Sequence, residues 1–85
     1  MYLMQCFVYK SLKKLDTYIY IERKGDFSRL PETLVAMLGQ LDFVMNLELS
    51  DQRHLANAKP EEVMTLLVEQ GYYLQLPPAE YIKAQ

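Results

Sequence analysis

The chain has 85 residues, of which 51% are hydrophobic and 24% are charged, and its formal net charge is −2. This is an ordinary globular composition, and it excludes a mainly disordered chain. A chain of this length builds one modest core, and an enclosed pocket of roughly 300 Å³ or more would remove much of it. Catalysis in a deep pocket is therefore disfavoured.

The cysteine content and the first residues indicate a compartment. Cys6 is the only cysteine and lies in an apolar segment, which excludes an intramolecular disulfide and favours a reducing environment. Residues 1–10 show neither the basic leader nor the small-residue cleavage site of a signal peptide. No segment approaches the roughly 20 apolar residues of a membrane-spanning helix. We expect a cytoplasmic protein with no membrane partner.

The first third of the chain predicts a β-hairpin. Residues 3–10 are apolar on both alternating faces, which is typical of a central strand covered on both sides. The lysine-rich segment 11–16 predicts a turn, and residues 17–21 alternate tyrosine with isoleucine as a second strand does. We therefore expect these two strands to pair.

A helix is predicted over about residues 29–38. Pro31 suits its first position, Glu32 suits the positive end of the helix dipole, and Ser28 is the nearest N-cap. Gly39 is well placed to end this helix.

The remaining segments predict two strands, a second helix and a further short strand. Residues 42–49 alternate as a strand does, with Phe43, Met45, Leu47 and Leu49 on one face. Residues 54–57 form a candidate short strand beside it. Pro60 begins a second helix that Gly71 closes, and residues 72–76 form the last strand. The fold class is α+β, with four to five strands in the order β-β-α-β-(β)-α-β and helices covering the sheet.

Several blocks of sequence recur in order in one known family. They are residues 6–11 (CFVYKS), 13–14 (KK), 17–22 (TYIYIE), 26–32 (DFSRLPE) and 69–78 (EQGYYLQLPP). On these blocks the chain resembles the YcgL family of small bacterial proteins along nearly its whole length. The resemblance implies a compact α/β/α sandwich over residues 1–78 followed by a short tail, 79–85, and it implies no catalytic residue, substrate or cofactor. Two departures are the short tail and Lys59 before the second helix.

Residues that bear chemistry are few. Zinc needs three or four converging His, Cys or carboxylate ligands, and the chain has one histidine, His54, and one cysteine. Cys6 in an apolar strand is typical of an inert core thiol. No serine has the partners of a hydrolytic triad, and the three glycines are too scattered for a phosphate-binding loop. We therefore expect no catalytic residue, no metal and no cofactor.

Charge divides unevenly along the chain. Residues 1–30 hold six basic and three acidic residues, a net charge of +3, whereas residues 31–85 hold three basic and eight acidic residues, a net charge of −5. Tyrosines beside cations are typical of proteins that bind single-stranded nucleic acid. The alternative is a cross-strand aromatic cluster under a helix with lysines that keep the turns soluble, and the pI of about 5.3 favours it. The candidate partner-binding residues are Lys10, Lys13, Lys14, Tyr18, Tyr20, Arg23, Lys24 and Arg29.

Three hypotheses follow. The first is a non-enzymatic interaction module of unknown partner that contacts RNA or protein through the basic hairpin. The second is a small enzyme whose active site forms only at an oligomer interface, because one copy lacks the groups. The third is pairing of an exposed edge strand with a copy of itself or with a partner. We expect a monomer or a weak homo-oligomer.

Overall fold

A computed structural model describes residues 3–50 and 59–77. They form strands β1 (Leu3–Ser11) and β2 (Tyr18–Ile21), helix α1 (Glu32–Leu38), strand β3 (Leu41–Ser50), helix α2 (Pro60–Glu69) and strand β4 (Tyr72–Gln75). This order confirms the predicted α+β class and the succession β-β-α-β-α-β. The additional strand predicted at 54–57 lies outside the described residues. Neither helix is long and apolar enough to cross a membrane.

The four strands form one antiparallel sheet in the order β3-β1-β2-β4. β1 and β2 pair as the predicted hairpin, with Phe7 opposite Ile21 and Lys10 opposite Tyr18. β1 also pairs with β3, so it is a central strand. Both edges of β1 are therefore hydrogen-bonded to neighbouring strands, and its apolar sequence is the one expected of a central strand.

Each face of the sheet carries its own core. The α2-side core contains Cys6, Val8, Tyr20, Leu47, Leu49, Val63, Met64 and Leu67. The α1-side core contains Tyr9, Ile19, Ile21, Leu30 and Leu38. Neighbouring residues of β1 and β2 alternate between the two cores because successive strand side chains point to opposite faces. The predicted cover on both faces, the α/β/α arrangement, is confirmed.

One prediction about β3 is wrong. The sequence places Phe43 on the same face as Leu47 and Leu49, but the pairing of β1 with β3 shifts by one residue, leaving Val44 as an extra residue. The Phe43 ring consequently lies edge-on to the Tyr9 ring at 5.4 Å, on the α1 side, whereas the two leucines lie in the α2-side core. A β-bulge reverses the alternation at this point.

The start of α1 also differs from the prediction. The helix begins at Glu32, and Pro31 is its N-cap without a side-chain hydrogen bond. Ser28 does not cap it, because the Ser28 N–H and hydroxyl both donate to the Asp26 carboxylate, at 3.1 and 2.6 Å. α2, by contrast, begins at Pro60 as predicted. The Ser28 hydroxyl is therefore bonded to Asp26 and not to the N–H groups at the start of α1.

Candidate functional site

The structure separates the eight candidate residues into three locations. The hairpin turn (residues 11–17) and the strand residues that flank it hold Lys10, Lys13, Lys14 and Tyr18. The β2–α1 loop (residues 22–31) holds Arg23, Lys24 and Arg29. Tyr20 lies in the α2-side core.

Ser11 ties the hairpin turn to the rest of the fold. Its side chain is buried, and its hydroxyl donates to the Leu38 carbonyl oxygen at 2.6 Å. The Ser11 hydroxyl oxygen also accepts from the backbone N–H groups of Lys13 and Lys14, at 3.1 and 2.8 Å. A serine that bonds backbone two and three residues later stabilises a tight turn. One hydroxyl therefore joins the turn to the C-terminal end of α1.

Backbone hydrogen bonds complete the support of the hairpin turn. The Leu12 N–H donates to the Gln40 carbonyl oxygen and the Ser11 N–H donates to the Thr17 carbonyl oxygen, both at 3.0 Å. Asp16 has a φ of 56°, in the left-handed region that aspartate tolerates better than most residues. The turn is thus held by the Ser11–Thr17 bond across its two ends and by bonds to Leu38 and Gln40, so its backbone conformation is fixed.

Two leucines project from this supported turn. The Leu15 side chain is 82% exposed and the Leu12 side chain is 55% exposed. An open cleft of about 440 Å³ is lined by both leucines together with Lys10, Lys13, Tyr18 and other turn residues. Sequence reasoning missed the leucines because it treated residues 11–16 as a polar turn. The available signal was two leucines three residues apart in a segment with no place in the sheet.

The three lysines in and beside the hairpin turn, Lys10, Lys13 and Lys14, differ in how they are held. The Lys13 ammonium lies 3.4 Å from the Ala36 carbonyl oxygen, near the negative end of α1. Lys10 stands opposite Asp42 in the β1–β3 pairing. Within residues 3–50 and 59–77, neither Lys10 nor Lys14 forms a side-chain hydrogen bond or ion pair. The ammonium groups of Lys10 and Lys14 are therefore available to a partner.

In the β2–α1 loop, Arg29 serves an internal contact. Its guanidinium lies 3.5 Å from the Glu22 carboxylate and donates to the Glu69 carbonyl oxygen at 3.3 Å. The last turn of α2 has no basic residue of its own, so Arg29 supplies the cation that the negative end of a helix favours. Gly71 lies directly beneath the Arg29 side chain. Arg29 therefore fastens the loop to the end of α2.

The other two cations of the loop differ in their surroundings. The Lys24 ammonium lies 4.4 Å from the centre of the Phe43 ring, a cation–π contact. Arg23 lies with Glu22, Asp26, Ser28, Arg29 and Gly71 around a polar cleft of about 270 Å³. Because two acids and two arginines line this cleft, its charges balance and it offers no net positive field. The hydrogen bonds from Ser28 lower the pKa of Asp26, so that carboxylate stays charged well below neutral pH.

A family model, the YcgL domain, matches residues 6–78. The chain belongs to the YcgL domain family. It is 49% identical over 75 residues to a YcgL domain-containing protein of Proteus mirabilis, covering 88% of this chain and 77% of that protein. It is 49% identical over 76 residues to one of Stenotrophomonas maltophilia, covering 89% and 88%. Both names state the domain and no activity. The resemblance derived from the sequence is confirmed.

A third relative of this YcgL domain is a much longer protein. The chain is 51% identical over 76 residues to a protein of Nitrosococcus oceani named "Putative HAD-like hydrolase", and the match covers 89% of this chain but 20% of that protein. The chain therefore spans about one fifth of the length of that relative. A YcgL-like segment thus also occurs within a much larger polypeptide.

Tyr20 of this YcgL domain is a core residue. Its side chain is 7% exposed, its hydroxyl donates to the Gln75 side-chain oxygen at 2.7 Å, and its ring lies edge-on to that of Tyr73 at 5.5 Å. Tyr9 is also buried, and its hydroxyl accepts from the Gly25 N–H at 2.8 Å. These two rings leave little surface for a partner to stack on. Tyr18 is half-buried and lies at the cleft of the hairpin turn.

Burial makes the stability of the domain pH-dependent at high pH. Desolvation, and then the neighbouring Cys6, raise the pKa of Tyr20 above its ordinary value of 10.0. The unfolded chain therefore ionises first, so we expect the contribution of Tyr20 to the free energy of unfolding to be constant below its ordinary pKa of 10.0 and to fall as pH rises from there through the raised pKa of the folded protein. Urea unfolding between about pH 8 and about pH 11 measures the slope.

Tyr20→Phe is the variant that checks this assignment. The fall should become shallower in the variant, and a residual slope should remain because burial also raises the pKa of Tyr73. Equal slopes in the variant and the parent protein would contradict the assignment to Tyr20.

The groups that most often carry chemistry are dispersed. Within the ranges that the structure describes, no three His, Cys, Asp or Glu side chains come together as a metal site. Cys6 is fully buried in the α2-side core, where a thiol packs as a small hydrophobic group. His54, the only histidine, lies outside the described residues.

Proposed function

We propose that this YcgL domain is a non-catalytic interaction module and that the hairpin turn is its contact surface. The observation that carries the proposal is the exposure of Leu15, at 82%, and of Leu12 on a turn that Ser11 holds in place. A small domain has little apolar side chain to spare from its core. Because the two leucines line one cleft on a fixed turn, they form an apolar surface that a partner can cover.

The surrounding residues support the hairpin turn over the β2–α1 loop. Lys10 and Lys14 form no ion pair in the described part of the chain, whereas the Arg29 guanidinium pairs with the Glu22 carboxylate and donates to the Glu69 backbone carbonyl oxygen. A cation already engaged inside the protein contributes less to a partner, because it must first leave its existing contact. We therefore assign partner binding to Lys10, Lys13, Lys14 and Tyr18, together with the two leucines.

The longer Nitrosococcus relative supports an association with another protein. In that relative, the YcgL-like segment is continuous with a polypeptide of which it forms one fifth. The hydrolase name belongs to the whole of that protein, and we propose no hydrolysis by this domain. We propose instead that the shorter chain makes through binding an association that the longer protein makes through a covalent link, and that it does so in the cytoplasm.

Site-specific photo-crosslinking in cells tests the proposal. A photoreactive amino acid at Leu15, and separately at Leu12, should give crosslinked adducts several-fold more abundant than one at Val68. Val68 is the matched control because it is equally apolar and 54% exposed, but lies on α2. Lys14→Glu should lower the adduct yield at Leu15 without changing the yield at Val68.

The composition of the adduct identifies the kind of partner. If the crosslinked partner is digested by protease, it is a protein. If ribonuclease shortens the adduct, the partner is RNA. Equal yields at Leu15 and Val68, or no adduct at either leucine position, would remove the hairpin turn as the contact surface.

A further inference from the structure

We infer that the partner of the hairpin turn is an acidic protein segment that carries a bulky apolar side chain. The inference rests on the proposed function and adds the chemistry of the partner to it. It follows from the charge of the turn, from the kind of apolar group that the turn exposes, and from the shape between them.

The charge of the hairpin turn favours an acidic partner. Lys10, Lys13 and Lys14 stand against Asp16 and against Asp42, which lies opposite Lys10 in the β1–β3 pairing, so the turn and its flanks hold three basic and two acidic residues, a net charge of +1. Lys10 and Lys14 have no ion pair in the described ranges. Among the described residues, the Lys13 ammonium contacts the Ala36 carbonyl oxygen and no carboxylate, so an acidic partner can still pair with it. Opposite charges at contact distance attract even in water, and more strongly when a partner displaces water from the contact.

The apolar groups of the turn discriminate between an acidic protein and RNA. Loops and grooves that bind single-stranded RNA stack its bases on aromatic rings or arginine planes. Here Tyr9 and Tyr20 are buried, and the Arg29 guanidinium is held by Glu22. Of the residues that line the cleft, only Tyr18 has a ring and it is half-buried, whereas Leu12 and Leu15 are exposed and offer neither a flat ring nor a charge to a base. Leucine is complementary to another aliphatic or aromatic side chain.

The cleft brings the leucines and two of the lysines to one open space. Leu12, Leu15, Lys10 and Lys13 all line the open space of about 440 Å³ at the turn. We place one bulky side chain such as leucine or phenylalanine of the partner in this open space, with carboxylates beside it that pair with the ammonium groups. An apolar anchor in the centre with charged pairs at the rim is the usual arrangement of a protein contact.

An anionic membrane surface shares part of this chemistry, but the turn suits it less. Stable binding to a membrane takes a large apolar face or a second anchoring signal. The turn exposes two leucines, which is a small apolar face for a membrane surface but sufficient to contact one bulky side chain of a peptide.

Selection of peptides on the whole protein tests the inference. Random twelve-residue peptides displayed on phage are selected on the immobilised protein and counter-selected on the Leu12→Ser/Leu15→Ser variant. We expect the enriched sequences to combine aspartate or glutamate with leucine, isoleucine, methionine or phenylalanine. In amide NMR spectra, an enriched peptide should shift residues 10–18 and leave α2 unchanged.

The affinities of the protein for the enriched peptide, for a single-stranded RNA and for anionic phospholipid vesicles are then compared. They distinguish the three kinds of partner, which are an acidic protein segment, RNA and a membrane surface. Binding of the peptide should weaken at least about tenfold, about 1.4 kcal/mol, in the double serine variant. It should also weaken with added salt, because exposed charge pairs are screened. Val35→Ser and Val68→Ser, which remove exposed apolar groups from the helices, should leave the affinity unchanged.

Different failures have different meanings. If crosslinking at Leu15 succeeds but the enriched peptides are basic or lack apolar residues, the hairpin turn remains a contact surface and its partner is not an acidic apolar segment. The inference is likewise overturned if RNA or vesicles bind more tightly than the peptide and the serine variant binds them equally well. If crosslinking at both leucines also fails, the proposed function falls with it.

Discussion

Replacing Gly71 with alanine is expected to lower the free energy of unfolding by about 3 kcal/mol, measured by urea denaturation. Gly71 has a φ of 90°, a left-handed conformation that costs about 1–2 kcal/mol for a residue with a Cβ atom. An added Cβ would also lie 2.5 Å from Cδ and 2.8 Å from Cβ of Arg29. Such overpacking typically costs a further 1–3 kcal/mol, roughly.

Two comparisons separate these causes. Gly25 has a φ of 77° and nothing within 4 Å of an added Cβ, so Gly25→Ala should lose only the conformational part, about 1 kcal/mol. In an Arg29→Gly background, Gly71→Ala should likewise cost about 1–2 kcal/mol, because position 29 then has neither the Cβ nor the Cδ atom that the added group would meet. An undiminished loss in that background would show that the Arg29 contact is not responsible.

Ser11→Ala is expected to lower the free energy of unfolding by about 2–3 kcal/mol. The substitution removes one donated and two accepted hydrogen bonds, to the Leu38 carbonyl oxygen and from the Lys13 and Lys14 N–H groups. Each such bond contributes about 1 kcal/mol, and burial of Ser11 limits the water that replaces them. Denaturant unfolding again measures the loss.

Ser28→Ala is the matched control for Ser11. Its hydroxyl also makes a short hydrogen bond, 2.6 Å to Asp26, but Ser28 is exposed, so we expect a change of about 0.5 kcal/mol or less. The proposed function adds a second readout. Ser11→Ala should lower crosslinking from Leu15, since the turn loses its support, whereas Ser28→Ala should not. Similar stabilities for the two variants would show that Ser11 does not anchor the turn.

Local sequence patterns were sufficient for the elements of the fold. The apolar residues on both faces of β1 predicted a central strand, since a strand with covered faces needs no polar side chain on either. Pro60 predicted the first residue of α2, because proline suits a position whose N–H has no helical partner. Gly71 predicted the end of that helix, as its left-handed backbone requires glycine. Each of these signals acts within a few residues.

The candidate site was less accessible from the sequence. Eight residues were chosen by residue type, but type does not show whether a cation is already paired or a ring is already covered. Arg29 meets Glu69 across forty positions of the chain, and Tyr20 meets Gln75 across fifty-five. The register shift beside Tyr9 likewise depends on how two strands meet. Contacts between residues so far apart in the chain produce no local sequence pattern that would predict them.

The sequence by itself determined the family, the order of the strands and helices, and the two-sided cover of the sheet, because hydrophobic periodicity and chain-breaking residues are short-range properties. Only the tertiary structure decided which charged and apolar groups face outward at the hairpin turn. Exposure depends on what packs from elsewhere in the chain, and here the buried Ser11 hydroxyl meets the end of α1 and leaves Leu12 and Leu15 outside the core.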